Sequence, residues 1–346
     1  MKSIIKYMCI ASAMVLSFAA CDKWTETEAV SVVYPTIKDK YPALYEQYLQ
    51  GLRTYRGTDH HVMIAKFDNK SGVLQGRADH LNCLPDSIDY VILNNAADIS
   101  SQIAEEIEEI RLEKGMKTLM NVSYPALEAE YLAMIAEEEQ AQDTVVNTQE
   151  RFVGWMAENV AKTVALCDAN KLDGINVIFT GINPNSMTED ELALEEERQK
   201  SFFAAVNSWI NKHPDAVLFF EGVPRNVIYE TTVVESAKYI IAQAESVNNI
   251  HGLSYAVEQL IAEGVPTDRF VIGVTAIDIT DPTNLNGYFG DSNAILGAAL
   301  WAIDAADYYN KAGVCVNHAQ FDYYNVGNVY QNIRKAISTM NPSPVK

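Results

Sequence analysis

Positive charge is scarce in this chain of 346 residues, with 26 lysines and arginines against 46 aspartates and glutamates and a formal net charge of −20. A surface of that sign repels nucleic acid and anionic lipid, so neither is expected as a partner, while neutral ligands remain compatible. Cysteine is nearly as sparse: five residues, widely spaced, give no disulfide framework and no CxxC metal knuckle. The six histidines (His60, His61, His80, His213, His251 and His318) show neither HxxxH nor HExxH spacing. Glycine-rich phosphate loops are missing too, since no GxGxxG follows the first apolar run and no GxxxxGK occurs anywhere. No GxSxG elbow is present. Nucleotide, metal and serine-nucleophile chemistry lose their usual signals, and no cofactor is expected.

Long apolar runs are confined to the N-terminus. Lys2 and Lys6 precede "MCIASAMVLSF", too short to stay in a bilayer as a spanning helix, and the run closes on "FAAC". The small residues before Cys21 resemble the lipobox of bacterial lipoproteins, which implies cleavage after Ala20 and a lipid on Cys21. An ordinary secretory signal with an incidental Cys21 is the alternative. Residues 21–58 then form a polar, acidic tether, "DKWTETEAV", and a helical lead, "YPALYEQYLQGLRTY". Acidic residues directly after the cysteine resemble surface-export signals of some Gram-negative bacteria. The expected location is the outer membrane, lipid-anchored, on the outer face of such a cell. Losing residues 1–20 leaves 326 residues at a net charge of −22.

From residue 59 to 346 the chain alternates between short apolar runs and longer amphipathic stretches. The expected strands are 61–67, 89–95, 117–123, 174–180, 216–222, 238–244, 269–275 and 313–319. Most are continuously apolar, as strands covered on both faces must be. Eight strand–helix units in about 280 residues predict one α/β domain, a (β/α)8 TIM barrel. Function then gathers at the carboxyl ends of the strands. Those ends offer Asp68, Asn69, Asn94, Asn95, Asn121, Ser123, Asn176, Thr180, Glu221, Gln243, Glu245, Asp278, Asn317, His318 and Gln320. The set is rich in amides.

One run carries a specific likeness. "LDGINVIFTG" (172–181) resembles the fourth-strand signature DGxDxDxE of glycoside hydrolase family 18, the chitinases and endo-β-N-acetylglucosaminidases. "KTLMNVSYP" and "RFVIGVTAID" resemble the family's third and seventh strands. The family mechanism places a proton-donating Glu at the end of the signature. The Asp two positions earlier orients the substrate's acetamido group, which acts as the nucleophile, unlike the usual pair of carboxylates. Period-two spacing puts all these side chains in one column of the lumen. Asp173 and Gly174 match here, whereas Asn176, Ile178 and Thr180 stand where the three acids belong. An alcohol is far too weak an acid to replace Glu, and Ile178 forms no hydrogen bonds.

The resemblance therefore implies a non-catalytic barrel that captures N-acetylglucosamine-containing glycans, anchored by lipid beside an outer-membrane glycan-uptake complex. The expected ligand contacts are Asn121, Asn176, Thr180, Glu221, Gln243, Asn317 and His318, with Tyr323 and Tyr324 as sugar platforms. Asp173 and Gly174 allow either a turn into the strand or a ligand contact, and Asn176 either a buried network or a contact. Tyr124, Tyr288 and Phe289 are further loop aromatics, while Trp155, Trp209 and Trp301 lie in helical patterns. Two rival readings remain. One is an active hydrolase with relocated acids, Glu221 with Glu245 or Asp278; Glu221 paired to Arg225 is the bland form of that residue. The other is a structural outer-membrane lipoprotein that binds no sugar.

Overall fold

A computed structural model describes residues 36–141, 145, 147–281 and 283–342. The signal, most of the tether and the Cys21 lipidation site lie outside the described residues. The chain divides into two units, Met1–Gln47 and Tyr48–Lys346. The described part of the first holds a short helix, Ile37–Lys40, closed at its start by a capping box: the Thr36 N–H donates to Asp39 Oδ2 at 2.7 Å. The helix Pro42–Tyr55 begins there and ends in the second unit.

The second unit contains a closed barrel of eight parallel strands. They are β1 (Val62–Phe67), β2 (Tyr90–Leu93), β3 (Lys117–Ser123), β4 (Gly174–Phe179), β5 (Val217–Gly222), β6 (Tyr239–Gln243), β7 (Phe270–Thr275) and β8 (Lys311–Asn317). Around the barrel the order is β1, β8, β7, β6, β5, β4, β3, β2. Every neighbouring pair is parallel, as right-handed strand–crossover–strand units require. The (β/α)8 expectation holds.

Two differences from the sequence expectation are structural. The crossover from β1 to β2 is not a helix but two short 3-10 turns, Arg77–Asp79 and Leu81–Cys83. Asp79 organises it, taking the N–H groups of Gln75 and Gly76 and the ammonium of Lys70. At the far end, β8 stops at Asn317 because His318 turns to φ 52°, ψ 43°, a left-handed conformation that ends strand pairing. Residues 318 and 319, expected inside that strand, lie beyond it.

Alternation along each strand splits the core in two. Ile175, Val177, Phe179 and their counterparts face outward into one large cluster shared with the surrounding helices. Val62, Ile64, Tyr90, Ile92, Leu119, Val217, Phe219, Ile241, Val271 and Cys315 face inward and fill the lower lumen with a second, separate cluster. Burial pushes the Cys315 thiol up, as suits a cysteine serving as a small apolar residue. This plug fills the lumen below the level of Lys66 and Glu221.

Candidate functional site

Immediately above the plug the lumen becomes polar. Lys66 and Glu221, next in the inward columns of β1 and β5, are 5% and 1% exposed and meet at 2.5 Å between Nζ and Oε1. Gln243 Nε2 donates to the same oxygen at 3.1 Å. Asn176 Nδ2 donates to Glu221 Oε2 at 2.6 Å and to Asn121 Oδ1 at 2.9 Å. Asn121 Nδ2 donates to Asn94 Oδ1 at 2.9 Å, and Asn94 Nδ2 to Asp68 Oδ1 at 2.6 Å. Asp68 also receives the Gln320 amide, and its Oδ2 lies 2.5 Å from His318 Nδ1. On the β6 side, the Asn317 amide donates to Glu245 Oε1. The upper lumen is thus a floor of amides strung between carboxylates.

The electrostatics follow from these contacts. Burial opposes the charge on Lys66, but the Glu221 carboxylate beside it prevails, holding the ammonium above its ordinary range. Burial likewise works to raise the Asp68 carboxyl, yet hydrogen bonds from His318, Asn94 and Gln320 leave it below the usual carboxylate range. The same contact raises the His318 imidazole, whose ring also stacks on Phe321 at 5.5 Å. Glu245 goes the other way: burial pushes its carboxyl up despite the Asn317 amide.

The remains of the fourth-strand signature now separate into two groups. At the lower end, Asp173 is committed to the fold: Arg111 Nε donates to Oδ1 at 3.0 Å and the Thr118 N–H to Oδ2 at 2.9 Å. Gly174 is required by proximity, because a Cβ there would sit 1.9 Å from the Val217 carbonyl oxygen. At the upper end, Asn176 is fully buried and serves two acceptors through one amide nitrogen, leaving its Oδ1 without a protein partner. An aspartate at 176 would face Glu221 Oε2 and Asn121 Oδ1 with oxygens alone. Asn176 and Glu221 are therefore a matched pair, and the lost charge at 176 is what the carboxylate on β5 demands. Ile178, beside Glu221 in the β4–β5 register, and Thr180 are half-buried at the top.

Of the residues expected to form the site, Asn121, Asn176, Glu221 and Gln243 join in one network, and Asn317 and His318 bind its neighbours Glu245 and Asp68. Thr180 lies at the end of β4, its carbonyl taken by Asn226 Nδ2 at 2.7 Å. One expectation needs correction. Glu221 pairs with Lys66 and not with the exposed Arg225, because Arg225 follows the strand in a turn whereas Lys66 shares the lumen. Asp278 belongs to the loop after β7, where its Oδ1 accepts the Thr280 N–H and hydroxyl. Tyr323 is half-buried and packs edge-on against Tyr330 at 5.5 Å, whereas Tyr324 is 56% exposed. Lys66 was not among the expected residues, although a signal existed: it stands two positions after Ile64 in an apolar strand, in the inward column. Among the described residues no group of His, Cys, Asp or Glu is arranged to hold a metal.

A closed eight-stranded parallel barrel with a plugged base and a polar upper face at the strand carboxyl ends has the architecture of a (β/α)8 TIM barrel. A model of glycoside hydrolase family 18, BT1044-like, matches residues 25–339, and the chain belongs to that family. Among solved structures it is similar to BT1044 in a selenomethionine-labelled variant, with 19% identity, a TM-score of 0.57, and coverage of 89% of this chain and 96% of that one. It is also similar to the endo-beta-N-acetylglucosaminidase from Cordyceps militaris, with 17% identity, a TM-score of 0.56, and coverage of 86% and 96%. At these identities the likeness is one of fold. No curated protein sequence matches the chain significantly.

Proposed function

We propose that this chain is a non-catalytic member of family 18 that binds N-acetylglucosamine-containing glycans on the amide floor of its barrel. The observation that carries this reading is the state of Glu221. It is the acidic side chain nearest in register to the vacated signature positions, and it is 1% exposed and bound by Lys66, Asn176 and Gln243. A general acid must reach the glycosidic oxygen and carry a proton to it. A carboxylate sealed beneath two amides and neutralised by an ammonium does neither. Thr180 and Ile178 supply no replacement, whereas Asn94, Asn121, Gln243 and Asn317 supply the donors and acceptors that sugar hydroxyls and acetamido groups use.

Titration calorimetry with a chitooligosaccharide and an N-glycopeptide, alongside a prolonged hydrolysis assay, tests the reading. Binding without product supports it. Absence of binding to both would favour the rival of a structural lipoprotein. The second catalytic reading, relocated acids, is favoured by one observation: Glu245 is a carboxyl raised by burial at the rim of the same floor, the state a general acid needs. Released sugar that disappears in Glu245→Gln would establish it. We further propose that Cys21 carries lipid and holds the barrel at the outer face of the outer membrane, where it hands glycan to an uptake complex. Metabolic labelling with a palmitate analogue, lost in Cys21→Ala, tests the anchor.

A further inference from the structure

At the amino ends of the strands, below the apolar plug, lies a hollow of about 450 Å³. That is within the range of small-ligand sites, about 300–1,000 Å³. Its inner wall is the underside of the plug: Val62 and Tyr90 belong to that cluster, and Tyr239 packs against it. These three residues open β1, β2 and β6, so the hollow sits at the pole opposite the amide floor. Residues 57–60, which carry the chain into β1, form one side of it.

The charges around this hollow sort into a closed group and an open one. Asp89 spends both oxygens inside the fold, Oδ1 on His60 Nε2 at 3.0 Å and Oδ2 on the Met63 N–H at 2.9 Å. Arg56 is spent as well, since Nη1 and Nη2 donate to the carbonyls of Leu52, Lys114, Asp86 and Ile88. Lys117 and Lys238 differ. Both are exposed, and among the described residues neither ammonium has a carboxylate or carbonyl partner. Lys238 is instead held over aromatic faces, with Nζ 5.4 Å from the Tyr90 ring centroid and 5.7 Å from that of Tyr239. Tyr90 also pairs in register with Lys117, so both lysines border the same residue. The open anion is Asp59, exposed at the rim. Two open cations against one open anion make the hollow locally positive on a chain of net charge −20, and its apolar inner wall focuses that field.

From this arrangement we infer that the hollow at the base is an anion site for a single phosphate group on a small ester, its charge met by Lys117 and Lys238 and its carbon skeleton by the half-buried ring of Tyr239. A lysine meets phosphate as a point charge with three rotatable donors, so no fixed fork of donors is required. The phosphate has two sources, a soluble ester or a lipid headgroup. A headgroup is relevant because the helix ending at Tyr55 brings the chain into the barrel at this face. The inference is independent of the glycan reading, since the plug lies between the two sites.

Titration of glycerol 3-phosphate into the full chain in phosphate-free buffer tests the site, with glycerol as the uncharged control. Saturable binding of the ester and none of glycerol is expected. Lys117→Gln and Lys238→Gln should each weaken binding about ten-fold, whereas Lys238→Arg should keep most of it. Asp59→Asn, which removes the opposing carboxylate, should tighten it about three-fold. All three side chains are exposed, so each variant should melt near the temperature of the parent. The source is read in the Cys21→Ala background, where no lipid anchor contributes, with phosphatidylcholine vesicles holding a minor fraction of phosphatidic acid; a wholly anionic bilayer would repel so acidic a chain. Co-sedimentation that is lost with both lysines supports the site and assigns it a headgroup, while ester binding without co-sedimentation supports it and assigns a soluble ester. No saturable binding of glycerol 3-phosphate overturns the inference, as does binding that the folded double variant Lys117→Gln, Lys238→Gln retains in full.

Discussion

The two ends of β4 have had different fates. At its base Asp173 and Gly174 keep the family signature, and each is fixed by neighbours unrelated to sugar: Arg111 and the Thr118 N–H for the carboxylate, the Val217 carbonyl for the glycine. At its top the three acidic positions are Asn176, Ile178 and Thr180, and the surroundings have been rebuilt around them, with Lys66 and Glu221 forming a closed pair beneath. Retention of a motif residue is thus no sign of chemistry unless the residue lacks a structural employer. In this strand the half that survives is the half the fold cannot release.

The sharpest way to break that contrast is at the base. Gly174→Ala should cost about 3–5 kcal/mol or prevent folding, because the new methyl must displace the β5 backbone; a melting temperature near that of the parent would refute the packing argument. Next comes the rebuilt pair. Lys66→Met leaves Glu221 buried without its cation, and chemical denaturation should show a loss of about 3–5 kcal/mol, while adding Glu221→Leu to the same protein should recover much of it. A double variant no better than the single would mean that the pair is not coupled. Asp173→Ala removes a charge-assisted contact and orphans the Thr118 N–H, for an expected loss of about 1–3 kcal/mol. Thr180→Ala, at the half-buried top, should change stability by less than about 1 kcal/mol and show its effect in glycan affinity instead.

The smallest effect concerns pH. His318 has a raised folded-state pKa through Asp68, so its contribution is complete below the unfolded value of about 6.5 and fades as pH rises through the folded value. Asp68 is lowered, so its contribution is present above about 3.9 and is lost as pH falls through the folded value. The contact is half-exposed, which limits it to roughly 1 kcal/mol or less. The stability difference between the parent and His318→Asn should therefore peak in mildly acidic solution and shrink towards alkaline pH. A difference that grows with pH would contradict the assignment.

How much of this was legible beforehand depended on distance along the chain. The strands declared themselves as apolar runs, and their alternation located the barrel and its polar ends. Asn121, Asn176, Glu221 and Gln243 are readable because each stands in the inward column of its strand, above the apolar residues of the lower lumen. Partnerships were not readable. Sequence proximity points Glu221 to Arg225, four residues on, yet its partner Lys66 is 155 positions away and becomes a neighbour only when the barrel closes. The β1–β2 crossover departs from a helix for a local reason: Gly72 and Gly76 interrupt any helical period, and the turns there are set by one carboxylate, Asp79. Likewise nothing in "QFDYYN" announces that Tyr323 packs edge-on against Tyr330.

The row of asparagines has a polarity. Asn176 gives its proton to Asn121, Asn121 to Asn94, and Asn94 to Asp68, so three amides point the same way and add their dipoles head to tail. Glu221 at one end and Asp68 at the other accept only, which denies each terminal amide the freedom to flip. Reversing any one of them would require reversing the whole row against both carboxylates. The barrel mouth accordingly behaves as a single oriented element, a row of compass needles between two fixed magnets, and a sugar arriving there meets a surface whose donors and acceptors have already been chosen.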